Sequence, residues 1–301
     1  MKKTYYFLSL IFCGLMMSTF VFGQCDQPII LSTQEDVDNF VTDYGCTEID
    51  GNLIIDGYNN NIINLSGLSE ITSIAGYLEI LNNEELTNID GLNNLASIGG
   101  SLLIGYTYQG NHLTNIDGLT NLNSIGGDLY IHDNIALTNI DGLGSLSYLG
   151  GGVSVGNNHV LTNIDGLSSL SHIETFIDIH SSILLTNIDG LSNIDSIGGT
   201  LRFYLNDALT NIDGLGSISS IGGDLRITDN KLLNMNTCCI VPYLASVTQG
   251  EITIRDNAFG CNSLEEMNYF CTYFKITAQP FYDQNENGTL DIGEQPLYNL
   301  P

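Results

Sequence analysis

Residues 86–92 read Leu-Thr-Asn-Ile-Asp-Gly-Leu, and the same seven residues return unchanged from 113, 137, 161, 185 and 209. Four of the five intervals are 24 residues and the first is 27. A fixed period of this length makes each copy one supersecondary unit, able to bury its apolar face only against its neighbours. The chain is therefore expected to be a solenoid, and solenoids commonly bind through one long exposed face.

Outward from the heptad, the full repeat is L-T-N-I-D-G-L-x-x-L-x-S-I-G-G-x-L-x-I-x-x-N-x-x. Its second half alternates, as at Gly127-Asp128-Leu129-Tyr130-Ile131-His132, the period-two pattern of a strand with one buried face. That phase puts Leu129 and Ile131 inward, and Asp128, Tyr130 and His132 outward. Nine inward pairs follow it: Leu53/Ile55, Leu78/Ile80, Leu102/Ile104, Leu129/Ile131, Val153/Val155, Ile177/Ile179, Leu201/Phe203, Leu225/Ile227 and Ile252/Ile254. At about 4.8 Å per rung they predict a parallel sheet about 40 Å long. Three residues past the second inward position stands an asparagine: Asn83, Asn134, Asn158, Asn206, Asn230 and Asn257. A stacked Asn column of this kind bonds backbone groups of adjacent turns that would otherwise be orphaned. Ser182 and Thr107 break the column, and the segment 105–112, which holds the three extra residues, is expected to loop out.

Residues 1–23 read as a signal peptide: Lys2 and Lys3, an apolar stretch over 5–22, then Val21-Phe22-Gly23 ahead of Gln24. Phe12 before Cys13 and Gln24 before Cys25 are not the small residues that lipid attachment requires. No later apolar run is long enough to span a bilayer, so an exported, soluble chain is expected. The formal charge is −27, and it falls to −29 once the two leader lysines are gone. Such a surface repels phosphate backbones, which argues against nucleic acid and anionic membranes.

Six cysteines remain beyond the leader, Cys25, Cys46, Cys238, Cys239, Cys261 and Cys271, and all lie outside the repeats. Their spacing is not that of a tetrahedral metal site, and in an oxidising compartment an even number reads as stapled ends. A Cys25–Cys46 bridge is expected to clamp a helix opened by the box Ser32-Thr33-Gln34-Glu35, with Val37, Phe40 and Val41 at helical spacing. A second box, Ser263-Leu264-Glu265-Glu266, opens a helix with Met267 and Phe270 on one face. Cys238 and Cys239 are neighbours, so each is expected to pair with one of Cys261 and Cys271, in an order left open.

With the heptads, the L-x-I-x-x-N spacing and the cysteine ends in view, residues 25–273 resemble receptor L-domains. These are leucine-rich, right-handed β-helical modules of growth-factor receptors and of many bacterial surface proteins. The repeat departs from the usual leucine-rich pattern by one residue before the first strand Leu and one after the Asn. The resemblance implies a sheet face that helps to bind protein ligands, but it carries over no individual binding residue. The tail from 281 resembles the opening of B-type β-sandwich repeats of adhesins, through D-x-N-x-N-G-x-x-D-x-G-E at 283–294.

The expected architecture is an all-β, right-handed parallel β-helix-like solenoid of about nine rungs with short capping helices at both ends. Its parts are a signal peptide (1–23), an N-terminal disulfide cap with a helix (24–50) and L-domain-like repeats (51–237). A C-terminal cysteine cap including the last rung (238–273) and the start of an incomplete β-sandwich domain (274–301) follow.

Two sites are expected. In the tail, Asp283, Asn285, Asn287, the Thr289 carbonyl, Asp291 and Glu294 occupy positions 1, 3, 5, 7, 9 and 12 of a calcium loop, with Gly288 at the sharp turn. Ca2+ is the expected cofactor there; the plainer reading is an Asx-rich turn. On the long sheet the outward middle column reads Ile54, Glu79, Leu103, Tyr130, Ser154, Asp178, Arg202, Arg226, Thr253. Arg202, Arg226 and Arg255 fall on this face at consecutive rungs, with Tyr130, His132, Asp178, His180 and Tyr204 beside them. They form a candidate ligand patch for a carboxylated or sulfated glycan or an acidic protein segment. The alternative is simple charge pairing with Asp178, Asp224 and Glu251.

The stacked aspartates of the heptads offer too few ligands per rung for a cation, and are expected to cap local amides. The stacked threonines are expected to serve packing rather than ice binding. No HExxH or phosphate loop is present, and the five histidines fall in no metal motif. The chain therefore reads as a secreted cell-surface recognition or adhesion module for a protein or polysaccharide, not an enzyme. A carbohydrate-active β-helix lyase or hydrolase is the alternative, and a spacer the third reading. A pocket gathering two carboxylates, or an Arg with a His, would favour the enzyme.

Overall fold

In the computed structural model the described residues are 25–58, 62–105, 111–233 and 236–273. The signal-peptide stretch 1–23, Thr107 and the calcium loop at 283–294 lie outside them.

Ten parallel strands, each hydrogen-bonded to the next in chain order, make one long sheet. Nine fall on the inward pairs of the repeat. The tenth, Ile29–Leu31, comes first and pairs with Leu53–Asp56, so the count of nine is corrected to ten. Its outward residue, Ile30, is itself apolar, so the segment shows no alternation to mark it. Two-residue strands such as Ser97–Ile98 and Ser124–Ile125 stack into two shorter parallel ladders of five and three strands, and 3-10 turns starting at the heptad aspartates stack at the remaining corner. Columns of Leu and Ile with no exposed surface fill the interior from end to end.

The constancy of the heptad follows from this stacking, as the copy at 137–143 illustrates. Leu137, Ile140 and Leu143 are fully buried. The Thr138 hydroxyl donates to the Thr114 carbonyl one rung away at 3.3 Å. Asn139 Oδ1 accepts the Asp141 N–H at 3.1 Å and opens the turn Asp141–Leu143. A Cβ on Gly142 would lie 2.0 Å from the Ile116 carbonyl oxygen, so only glycine lets the rungs approach. The expectation that the aspartates cap local amides is therefore corrected: the asparagine two residues earlier does so. The carboxylates stay exposed, and Asp165 is pushed up by partial burial and by Asp141 and Asp189 on either side.

The asparagine column is buried, and it is more continuous than expected. Asn111 Oδ1 accepts from the Asn83 amide at 2.9 Å, and its Nδ2 donates to the Ile80 carbonyl at 2.9 Å. The three-residue insertion displaces this asparagine along the chain but not in space, which corrects the predicted break at Thr107. Ser182 does interrupt the side-chain ladder, although its amide still donates to Asn206 Oδ1 at 3.1 Å. At the seven column positions other than Asn111, the preceding residue takes a left-handed backbone: Asn82, Asp133, Asn157, Ser181, Leu205, Asp229 and Asp256. Nothing in the structure explains a leucine there at 205.

At the N-terminal end, helices Gln34–Asp38 and Phe40–Asp43 bury Val37 and Phe40. The capping box is one residue later than read. Thr33 Oγ1 accepts from the Asp36 amide at 3.1 Å and the Asp36 carboxylate accepts from the Thr33 amide at 2.8 Å. At the other end Ser263 Oγ accepts the Glu266 amide at 3.1 Å, but the Glu266 carboxylate turns instead to the amides of Gly260 and Asn262. Disulfides join Cys25 to Cys46, Cys238 to Cys261 and Cys239 to Cys271. Among the described residues no helix is long and apolar enough to cross a membrane.

Candidate functional site

The register of the long sheet reproduces the outward column read from the sequence. Tyr130 stands opposite Ser154, Ser154 opposite Asp178, Asp178 opposite Arg202, and Arg202 opposite Arg226. Beside it runs an edge column in which His132, Gly156, His180, Tyr204, Thr228 and Arg255 follow one another.

One rung differs from all the rest in size. Around the strand Val153–Gly156 the outward positions are Gly152, Ser154 and Gly156, whereas the rungs on either side present Tyr130 and His132, then Phe176, Asp178 and His180. Large side chains two rungs apart lean toward each other over this gap. A Cβ on Gly156 would lie 2.3 Å from the His180 ring, and one on Gly152 would lie 2.6 Å from that of Phe176. The Tyr130 and Phe176 ring centroids come to 6.3 Å, and those of His132 and His180 to 5.3 Å. The result is a groove of about 540 Å³, lined by Tyr130, His132, Ser154, Thr175, Phe176, Ile177, Asp178, His180, Thr200 and Arg202. That volume falls in the range of about 300–1,000 Å³ usual for small-molecule sites.

Burial and pairing set the charges here. His132 Nε2 lies 2.8 Å from Ser154 Oγ, and burial, with the neighbouring His180 second, pushes this imidazole down to about 4. His180 stacks on Tyr204 with centroids 4.8 Å apart and planes 11° apart. Burial lowers its pKa as well, against the opposing pull of Asp178 and Asp133. Arg202 Nη1 lies 3.4 Å from Asp178 Oδ2. The other cations are likewise engaged: Arg226 with Asp224 at 2.9 Å, Lys231 with Asp229 at 3.3 Å, and Arg255 with Asp256. Every Lys and Arg among the described residues is thus in an ion pair.

Of the eight residues read as a ligand patch, Tyr130, His132, Asp178, His180 and Arg202 line the groove, and Tyr204 backs it through His180. Arg226 and Arg255 lie on later rungs outside it, each held by its own carboxylate. His132 is outward but buried rather than lying free on the surface, because its neighbour on the next rung is glycine and His180 closes over it. Phe176, Thr175 and Thr200 went unnoticed in the sequence, and Ser154 was read only as one more outward position; the useful signal was the run of small residues at 152, 154 and 156. Among the described residues no three His, Cys, Asp or Glu side chains gather to hold a metal ion.

No curated protein and no solved structure matches the chain. The model of the receptor L domain family matches residues 45–109, which end before the groove begins. The opening rungs are thus similar to a receptor L domain, a ligand-binding extracellular module, and both the three disulfides and the parallel stack fit that similarity.

Proposed function

We propose that this chain is a secreted recognition or adhesion module that seats part of an extracellular protein or polysaccharide in the groove between Tyr130 and Arg202. The observation that carries the reading is the rung at 153–156. A uniform stack would present an unbroken face, and here three small residues between large aromatic neighbours open a concave site. The leader-like residues 1–23 and three disulfides suit export. The test is Ser154→Trp, which fills the groove from its floor, compared with Tyr148→Ala on the second sheet. Wild type and Tyr148→Ala should be retained on an immobilised extracellular-matrix and polysaccharide extract, and Ser154→Trp should not. Equal retention of all three would move the binding site elsewhere.

The enzyme reading keeps two favourable observations: the groove brings an arginine together with two histidines, and Ser154, in the G-x-S-x-G run Gly152-Val153-Ser154-Val155-Gly156, has its Oγ 2.8 Å from His132 Nε2. That serine sits inside the repeat strand Val153–Gly156 rather than on the strand-to-helix turn that exposes such a nucleophile. A glycosidase, however, works with two carboxylates about 5–9.5 Å apart. Asp178 is the single acid among the described lining residues, and Arg202 already engages it. We therefore hold the chain to be a binding protein; release of reducing ends or of unsaturated uronides from a bound polysaccharide would contradict this.

On its sequence alone, the loop at 283–294 is proposed to hold Ca2+ as part of a stalk-like segment. Terbium luminescence should report one site that calcium competes for, weakened about tenfold or more by Glu294→Gln, which removes the bidentate anionic ligand. Unchanged uptake in that variant would leave the loop an ordinary Asx turn.

A further inference from the structure

We infer that the groove takes a neutral, hydroxyl-rich sugar ring, and that anionic glycans and acidic peptides are poor occupants. This rests on the groove being the recognition site, and it replaces the charged ligand suggested by counting arginines along the face.

Charge is the first argument. Three arginines on one face look like an anion site only while their carboxylates are ignored. Arg202 is paired with Asp178, Arg226 with Asp224 and Arg255 with Asp256, so this part of the face carries no net positive charge. The two imidazoles at the groove are held toward their neutral forms. Asp128 and Asp133 add negative charge next to Tyr130 and His132, on a chain of net charge −27. An incoming carboxylate or sulfate meets repulsion, and it would have to break an existing ion pair to gain a partner.

The second argument is the inventory of lining groups. A sugar ring offers apolar C–H faces and hydroxyls that both donate and accept. The groove answers with the rings of Tyr130, Phe176 and His180, and with the hydroxyls of Thr175 and Thr200. Arg202 gives one N–H to Asp178 while its side chain stays 42% exposed, which leaves guanidinium donors facing the groove. Sugar hydroxyls satisfy these exposed donors without bringing a charge, and an apolar peptide side chain leaves them unmet.

The experiment is calorimetric titration of the mature protein with four probes: cellotetraose and mannotetraose as neutral chains, tetragalacturonate and a heparin-derived tetrasaccharide as anionic ones. At least one neutral probe should bind, and both anionic probes should bind about tenfold more weakly or not at all. Tyr130→Ala should reduce neutral binding about tenfold and Tyr130→Phe, which keeps the ring, should restore it. Asp178→Asn supplies the decisive contrast. It should weaken neutral binding, because it loosens the Arg202 guanidinium that presents donors to the groove, whereas an anion site would be strengthened by loss of the competing carboxylate. Circular dichroism melting of each variant separates lost binding from lost fold. Tighter binding of an anionic probe, or no binding by any of the four, overturns the inference. If sugars fail while Ser154→Trp still abolishes retention on the extract, the sugar assignment falls alone and the groove remains the site. If a neutral sugar binds but neither Tyr130→Ala nor Ser154→Trp affects it, both readings fall.

Discussion

His132 shows what the stack does to a single side chain. In a free strand it would be an ordinary outward histidine. Here the glycine at 156 lets His180 close over it, and the residue retains 7% of its exposure and a pKa pushed down to about 4. Its folded pKa lies below the usual value near 6.5, so the unfolded chain binds the proton more readily. Stability from this group is therefore whole above about pH 6.5 and is lost as pH falls toward 4, by roughly 3 kcal/mol in all. Asp133 and Asp178, which act on His180, pull in the opposite sense, so the two histidines should titrate apart. An NMR titration should find His132 neutral down to about pH 5. A midpoint above 6 would mean that the ring is solvated and the groove open to water. His132→Gln should flatten the acid limb of the stability profile.

At the scale of one rung, alternation decides everything. Ile80 has no exposed surface, while its neighbour Glu79 faces outward between Ile54 and Leu103. Ile80→Asp puts a carboxylate into a column of aliphatic side chains and should cost more than about 4 kcal/mol, unfolding at least the adjacent rungs. Glu79→Gln should do the reverse. Burial, and Asp56 second, raise the Glu79 pKa, so its charged form opposes folding above that pKa. The substitution should raise the melting temperature slightly at pH 7, and the gain should vanish as acid protonates the wild-type carboxyl. Equal destabilisation by both changes, read by thermal melts, would mean that the in/out phase is wrong. The constancy of the heptad also belongs here. Six of its seven residues have an identified role: three fill the core, the threonine bonds the previous rung, the glycine lets that rung approach, and the asparagine caps the turn within its own rung. The aspartate is the exception. It sits at the first position of a 3-10 turn, where a negative charge is favoured, and it carries the repulsion of its stacked neighbours.

For the molecule as a whole, the stability of a solenoid is a sum over neighbours, and its open ends are the exposed edge. The chain places its cross-links there and nowhere between. The Cys25–Cys46 bridge closes the segment that contains the first strand, both N-terminal helices and their capping box. Replacing both cysteines by serine should cost about 2–4 kcal/mol if the loop-entropy account holds. Loss should begin at the N-terminal rungs, with hydrogen exchange accelerating over the first two long strands before it reaches the groove. Uniform acceleration along the whole sheet would mean that the stack behaves as one cooperative unit and that the bridge is no local clamp.

The sequence by itself determined the period, the parallel stacking, the inward columns and the register, because each is written in a spacing of two or of 24 residues that repeats many times. It also placed the disulfides at the ends, and it identified Tyr130, His132, Asp178, His180 and Arg202 as outward residues. It did not disclose the groove. Gly152 and Gly156 carry no chemistry of their own and Ser154 offers one hydroxyl, bonded to His132, and their importance appears only when Tyr130 and Phe176, 46 residues apart in the chain, come within 6.3 Å across them. It likewise left the ion pairs undecided, and so left the sign of the ligand open. A residue's charge is local, but whether that charge is free depends on which carboxylate the stack sets beside it. The order of the last two disulfides and the place of Asn111 in its column were settled in the same way. Both depend on distances between chain segments that sequence spacing alone does not fix, since an insertion can move a residue along the chain without moving it in space.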